Sequence, residues 1–120
     1  SVLSNLIGTE YLPRSFRNHI LFFEDTDEMP PKVIRYLNQW IQAGLFKDIK
    51  GIVLGVFRGL SKKEVKLLYK ELSKRIVNIP IFVSNDFGHV CPNFPIMIGA
   101  KSQIIDSTRL VWKAYNILRE

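Results

Sequence analysis

Two side chains of this sequence, Glu24 and His89, have the chemistry of a hydrolytic acid–base pair. Glu24 follows the apolar run Ile20–Phe23, and His89 closes the polar segment 84–89. A carboxylate that accepts a hydrogen bond from one imidazole nitrogen fixes the tautomer and leaves the other nitrogen to take a proton from a nucleophile or water. The spacing alone also fits a loop histidine bonded to a backbone carbonyl and an exposed acid.

The acidic side chains next to Glu24 suggest a second chemistry, since hard cations prefer several carboxylate oxygens. Asp25, Asp27 and Glu28 offer such oxygens, but the run lacks the glycine and the ligand spacing of an EF-hand loop. Acidic residues just before a helix also interact favourably with its N-terminal dipole. We therefore expect no metal site and no cofactor.

A nucleophile is not evident in the sequence. None of the serines stands in a G-x-S-x-G motif or in another recognisable strand-to-helix elbow. Cys91 lies two residues after His89, but neighbouring loop positions rarely aim a thiol at an adjacent ring, so we interpret it as a bystander. A hydrolase that uses Glu24 and His89 needs a nucleophile from elsewhere.

The elements that must position these residues alternate between strands and helices. Strands are predicted over Ile20–Phe23, Gly51–Phe57 and Ile79–Val83, the second of them central because it is apolar throughout. A helix is predicted from Lys32 to near Gly44, and Ser61 with Glu64 forms a capping box for another. This order predicts an α/β sheet, in which ligands collect beyond the carboxyl ends of the strands. Both Glu24 and His89 follow such ends.

The two ends of the chain are less regular. Val2, Leu3, Leu6 and Ile7 have helical spacing, and no residue precedes them to cap that helix. Near the other end, segments 103–105 and 110–115 flank Asp106–Thr108 and predict a hairpin. A helix over Leu110–Leu118 is the alternative.

Length and composition fit one domain over residues 1–120. The net charge is +6, but the stretch 58–75 carries seven basic and two acidic residues, which explains most of it. We interpret this stretch as a solvated helix face, not a nucleic-acid site, because it lacks interleaved aromatics and any binding-module signature. No apolar run is long enough to cross a membrane, and the single cysteine fits a reducing compartment. We expect a cytoplasmic protein.

Several short segments resemble the LD-carboxypeptidase family, which includes the microcin C immunity proteins. The matching pieces are Leu6–Tyr11, Ile20–Asp25 with Glu28, Gly51–Gly55, and Asp86–His89 followed by Pro92 and Gly99. The likeness to the immunity proteins rests on residues 8–11 and 85–89. Together the pieces cover nearly the whole chain in the order typical of that family.

The resemblance implies a specific role for this chain. Members are two-domain serine hydrolases: an N-terminal domain carries the serine and the oxyanion hole, and a swivelling β/β/α C-terminal domain, a small mixed sheet flanked by helices, carries Glu and His. By resemblance Glu24 is the triad carboxylate and His89 the general base, with substrate contacts assigned to Asp25, Glu28 and Asp86. The implied partners are the N-terminal nucleophile domain, absent here, and a second copy of the full-length protein.

The implied substrates are murein-type LD-peptides or the amide of processed microcin C and similar aminoacyl-nucleotide toxins. Pro30–Lys32 depart from the family pattern, in which an aromatic residue and a second acid often follow. The alternative function is a catalytically silent binding or dimerisation domain with the same fold.

Overall fold

The computed structural model describes residues 2–106 and 109–112. A 3₁₀ helix at Val2–Leu6 is followed by strand β1, helix α1, strand β2, helix α2 and strand β3, and then by a short hairpin of strands β4 and β5. Their bounds are β1 Ile20–Thr26, α1 Pro30–Gln42, β2 Gly51–Arg58, α2 Lys62–Arg75, β3 Ile81–Gly88, β4 Ser102–Ile105 and β5 Arg109–Trp112.

Strands β1, β2 and β3 form a parallel sheet with β2 at its centre. The connections from β1 to β2 and from β2 to β3 both move to the next strand on the same side. Because such connections are right-handed, α1 and α2 lie on the same face of the sheet. The main core lies between that face and the helices, where Ile52, Leu54 and Leu68 are the most deeply buried large side chains. Residues 51–55 are buried throughout, as the continuous apolar run predicts for a central strand.

Local features of the sequence determine where both helices begin. Pro30 is the first residue of α1, a position whose N–H has no partner within the helix, so proline loses no hydrogen bond there. Helix α1 therefore begins two residues before the predicted Lys32. The capping box predicted for α2 is present: the Ser61 hydroxyl accepts from the Glu64 N–H, and the Glu64 carboxylate accepts from the Ser61 N–H. Pro30 and the capping box thus fix where α1 and α2 begin.

The N-terminal 3₁₀ helix is tied to α1 by one buried hydrogen bond. Trp40 Nε1 donates to the Ser4 hydroxyl at 2.9 Å, and Ser4 is buried. The helical spacing seen in the sequence at Val2–Ile7 thus forms a short 3₁₀ segment.

Two irregularities interrupt the parallel sheet near its carboxyl edge. Between β1 and β2, Phe23 pairs with Leu54 but Asp25 pairs with Phe57, so β2 has one extra residue there. Between β2 and β3, Leu54 pairs with Val83 but Val56 pairs with Gly88, so β3 bulges through residues 84–87. The segment predicted to be a loop after Val83 therefore belongs to a strand, because pairing resumes at Gly88.

The face of the sheet opposite the helices is covered in part by the antiparallel hairpin β4–β5. Phe22, Val53 and Phe87 of that face line a cavity of about 780 Å³ together with hairpin residues. The predicted α/β class is confirmed, although the parallel and antiparallel strands lie in two separate sheets. The predicted hairpin is confirmed over 102–105 and 109–112; residues 113–118 of the alternative helix lie outside the described residues.

Among the described residues, none of the helices combines the length and the apolar character that crossing a membrane requires.

Candidate active site

Glu24 and His89 form a direct hydrogen bond. The distance between His89 Nδ1 and Glu24 Oε2 is 2.7 Å. An ionised carboxylate can only accept, so Nδ1 carries the hydrogen and donates it. In the described part of the chain, His89 Nε2 has no hydrogen-bond partner, and it is the ring nitrogen free to exchange a proton.

Glu24 lies near the end of strand β1, on the face of the sheet opposite the helices. Side chains alternate along a strand, and Phe23, one residue earlier, packs against the main core with the helices. Glu24 therefore lies on the other face, opposite the extra residue of β2. Its side chain is 30% exposed, so solvent or a ligand can reach it. Glu24 and Asp25 thus belong to the end of β1, whereas Asp27 and Glu28 follow it.

His89 is placed by the turn that follows the bulge of β3. Gly88 has φ of 132°, and a Cβ there would lie 2.8 Å from the Val56 carbonyl oxygen, so only glycine fits. The Gly88 N–H donates to Asn93 Oδ1, and the Gly88 carbonyl accepts from the Val90 N–H. The turn holds the backbone and leaves the His89 side chain 57% exposed.

A second glycine, Gly55 in β2, leaves room for the Phe87 side chain of the β3 bulge to pack against the face of the sheet. The Phe87 ring packs over Gly55, where a Cβ would come within 2.4 Å of it, and contacts Phe22 edge-on with ring centroids 5.6 Å apart. Phe87 is buried although its neighbours in the bulge are not. It is therefore the anchor that fixes the residues just before His89.

Glu24 and His89 share an open cavity of about 660 Å³. Arg58, at the end of β2, also lines it, and so does Cys91. Sequence reasoning did not select Arg58, which looked like the first member of the basic stretch. Gly55 is a hint of a bulge, because glycine inside a strand often marks one, but the direction of Arg58 depends on how β2 pairs with β1.

The three predicted substrate contacts lie outside this cavity. Asp25 accepts a hydrogen bond from the Thr26 N–H, and Glu28 accepts from Lys32 Nζ at 2.7 Å, which raises the pKa of Lys32. Asp86 accepts from the Ser84 hydroxyl and lines the cavity under the hairpin instead. Their substrate roles stay predictions.

The geometry supports proton transfer and contains no evident metal-binding cluster. Among residues 2–106 and 109–112, no three His, Cys, Asp or Glu side chains converge as metal ligands would. A carboxylate that orients an imidazole with one free nitrogen can deprotonate a hydroxyl and later protonate a leaving group. Glu24 and His89 thus have the arrangement of two members of a catalytic triad.

Proteins similar in sequence to this chain carry carboxypeptidase names. The chain is 34% identical over 107 residues to a protein of Rickettsia conorii provisionally named a carboxypeptidase, covering 89% of this chain and 33% of that protein. It is 33% identical over 107 residues to a probable murein peptide carboxypeptidase of Bacillus subtilis, covering 85% and 33%. The chain therefore spans about a third of the length of these relatives.

A solved structure shares the fold. The muramoyltetrapeptide carboxypeptidase from Oxalobacter formigenes superposes with a TM-score of 0.63 at 33% identity, over 74% of this chain and 33% of that one. The family model described as the LD-carboxypeptidase C-terminal domain matches residues 1–104. With this sequence match, this fold and a Glu–His pair at the sheet edge, the chain belongs to the LD-carboxypeptidase C-terminal domain family.

Proposed function

We propose that this chain is the Glu/His-bearing catalytic domain of a serine LD-carboxypeptidase that removes the terminal residue of murein-type peptides. The observation that carries the proposal is the 2.7 Å hydrogen bond between Glu24 and His89. The serine belongs to an N-terminal domain that completes the site. The domain alone therefore has no activity.

In this mechanism His89 moves the protons of both half-reactions. Glu24 holds the Nδ1–H, so Nε2 accepts the proton of the serine hydroxyl as its oxygen attacks the scissile carbonyl carbon. Collapse of the tetrahedral intermediate breaks the C–N bond, and His89 gives the proton to the departing amine. Water then attacks the acyl-enzyme with His89 again as base, which releases the shortened peptide and restores the serine.

The names of two relatives support a murein peptide as substrate, since one is a probable murein peptide carboxypeptidase and the other a muramoyltetrapeptide carboxypeptidase. The predicted alternative, the amide of processed microcin C or a similar aminoacyl nucleotide, rests on residues 8–11 and 85–89. Both substrates present an amide to the same base. A peptide that ends in D-alanine therefore tests the proposal first.

The test is carried out in the polypeptide that joins this domain to its N-terminal nucleophile domain. Release of D-alanine from a murein tetrapeptide is measured for the wild type and for His89→Ala. We expect kcat to fall by about 10⁴-fold or more, because removing a triad histidine removes both proton transfers. Glu24→Gln keeps the shape but not the charge and should cost about 10³- to 10⁴-fold.

Matched controls separate the pair from its surroundings. His19→Ala removes the other histidine, whose Nδ1 lies 2.9 Å from the Arg17 carbonyl oxygen at the opposite end of β1, and should leave kcat unchanged. Cys91→Ala removes the thiol that lines the same cavity and should also leave kcat unchanged. Wild-type rates in His89→Ala would end the proposal and favour the silent binding domain.

A further inference from the structure

We propose that Arg58 binds the free α-carboxylate of the substrate's terminal residue and thereby restricts the enzyme to peptides with an unmodified C-terminus. This inference rests on the proposed function, since it names the group that the same site recognises. It adds a specificity residue on β2, whereas Glu24 lies on β1 and His89 in the turn after β3.

The first observation is the composition of the cavity. Among the described residues that line the cavity of Glu24 and His89, Arg58 is the only one with a permanent positive charge. None of the ion pairs within residues 2–106 and 109–112 involves Arg58. The guanidinium is thus an exposed cation that faces an open site without a carboxylate partner in the described chain.

The second observation is the extra residue of β2, which decides the direction of Arg58. Leu54 and Phe57 both pack in the main core on the helix side, although they are three positions apart. In a regular strand Arg58 would share the face of Leu54, because side chains alternate with a period of two. The bulge reverses the alternation and turns Arg58 to the face of Glu24.

The backbone at this position is fixed as well. Arg58 pairs with Thr26 in the register of β1 and β2, and its carbonyl oxygen accepts from the Asp27 N–H at 2.9 Å. The Cα position of Arg58 is therefore fixed, and only its side-chain torsion angles remain free. A recognition residue requires such a rigid base.

The geometry of a carboxypeptidase substrate also limits where its terminal carboxylate can bind. The scissile carbonyl and the terminal carboxylate belong to adjacent residues, which span about 3.3–3.6 Å each in an extended chain. A group that binds the carboxylate must therefore share a cavity with the base that acts on the scissile bond. Arg58 meets this requirement, and its planar fork of N–H donors matches a carboxylate in two parallel hydrogen bonds.

The test uses the same two-domain polypeptide and two peptides, a murein tetrapeptide ending in D-alanine and its C-terminal carboxamide. For Arg58→Gln we expect the KM of the carboxylate peptide to rise about 10- to 100-fold, with kcat within about twofold of the wild type. The carboxamide should be hydrolysed equally by both proteins. Arg58→Lys should recover part of the loss, because it keeps the charge but not the fork.

Arg75→Gln is the charge-matched control. Arg75 ends α2, which runs antiparallel to the strands, and it pairs with Glu71. This variant should leave both KM values unchanged. An equal loss on both peptides in Arg58→Gln, or no loss on the carboxylate peptide, would overturn the proposal. A shifted pH profile of kcat would do the same, because it would mean that Arg58 acts through Glu24 and His89.

A binding measurement that needs no hydrolysis separates this proposal from the proposed function. N-acetyl-D-alanine should perturb the ¹⁵N resonance of the Arg58 side chain in the two-domain protein, and N-acetyl-D-alanine amide should not. Equal responses to the two probes would refute the role of Arg58 even in an active enzyme. Absence of hydrolysis in the wild type would refute the proposed function instead.

Discussion

Replacing Gly55 with alanine should show that the close contact between β2 and Phe87 is a requirement of the fold. The new methyl group would lie 2.4 Å from Phe87 Cε2 and 2.7 Å from Cζ, well inside van der Waals contact. The ring has Phe22 beside it, so it cannot relax without moving the bulge of β3. The variant is therefore overpacked at a buried aromatic side chain.

The expected loss of stability follows from the cost of overpacking, about 1–3 kcal/mol. An unfolding entropy of about 2.1 cal/mol/K per residue gives roughly 0.25 kcal/mol/K for a chain of this length, so each kcal/mol shifts Tm by about 4 °C. Gly55→Ala should thus lower Tm by about 4–12 °C. Calorimetry or circular dichroism measures the change directly.

Gly51→Ala, in the same strand, is the matched control. A Cβ at Gly51 would lie 3.5 Å from the Pro80 carbonyl oxygen, which is an ordinary contact. With no steric penalty, the loss of backbone freedom in the unfolded chain should stabilise the protein by about 0.4–1 kcal/mol, or raise Tm by about 2–4 °C. Equal shifts in the two variants, or an unchanged Tm in Gly55→Ala, would refute the steric argument.

Substitutions at Glu64, Trp40 and Ser4 test the cap of α2 and the N-terminal segment. The hydrogen bonds from Ser61 lower the pKa of Glu64 below 4.5, so the stability they provide is present above that pH and is lost as the pH falls through the lowered pKa. Glu64→Gln should therefore make the decline of Tm below pH 4.5 shallower, and an unchanged slope in a pH series of melting curves would contradict this. Trp40→Phe leaves the buried Ser4 hydroxyl without its donor and should cost about 1–3 kcal/mol in denaturant titrations. Adding Ser4→Ala should recover part of that cost, whereas strict additivity would contradict the role of the hydrogen bond.

Much of this fold could be predicted from local patterns in the sequence. The apolar run at Gly51–Phe57 identified the central strand, and Ser61 with Glu64 identified the start of α2. The sequence also indicated that Glu24 and His89 follow apolar runs ending at the same edge of a sheet. Their pairing was implied by the family resemblance, and the structure shows it as a direct hydrogen bond. These features depend on burial and on capping chemistry, which short segments reveal.

The bulges could not be predicted, and they account for the errors. The polar residues Ser84–Asp86 carry no period-two pattern, so β3 was expected to end at Val83, whereas it continues to Gly88. The extra residue of β2 lies within a continuous apolar run. Because this run has no alternation of polar and apolar residues, the sequence does not show where the register shifts. Arg58 was missed for this reason, since its direction depends on tertiary pairing and not on residue type.

The hydrogen bond between Glu24 and His89 lies wholly within one domain, and this has a consequence for how activity depends on covalent connection. In the proposed enzyme the serine and the oxyanion hole come together from the other domain, so assembly of the site is a single association step. A short flexible linker gives tethered partners an effective concentration on the order of 1 mM. Separate halves mixed at about 1 µM, with weak affinity, would then assemble roughly 1000-fold less often. The peptide connection between the domains would thus contribute to the rate as directly as a catalytic side chain.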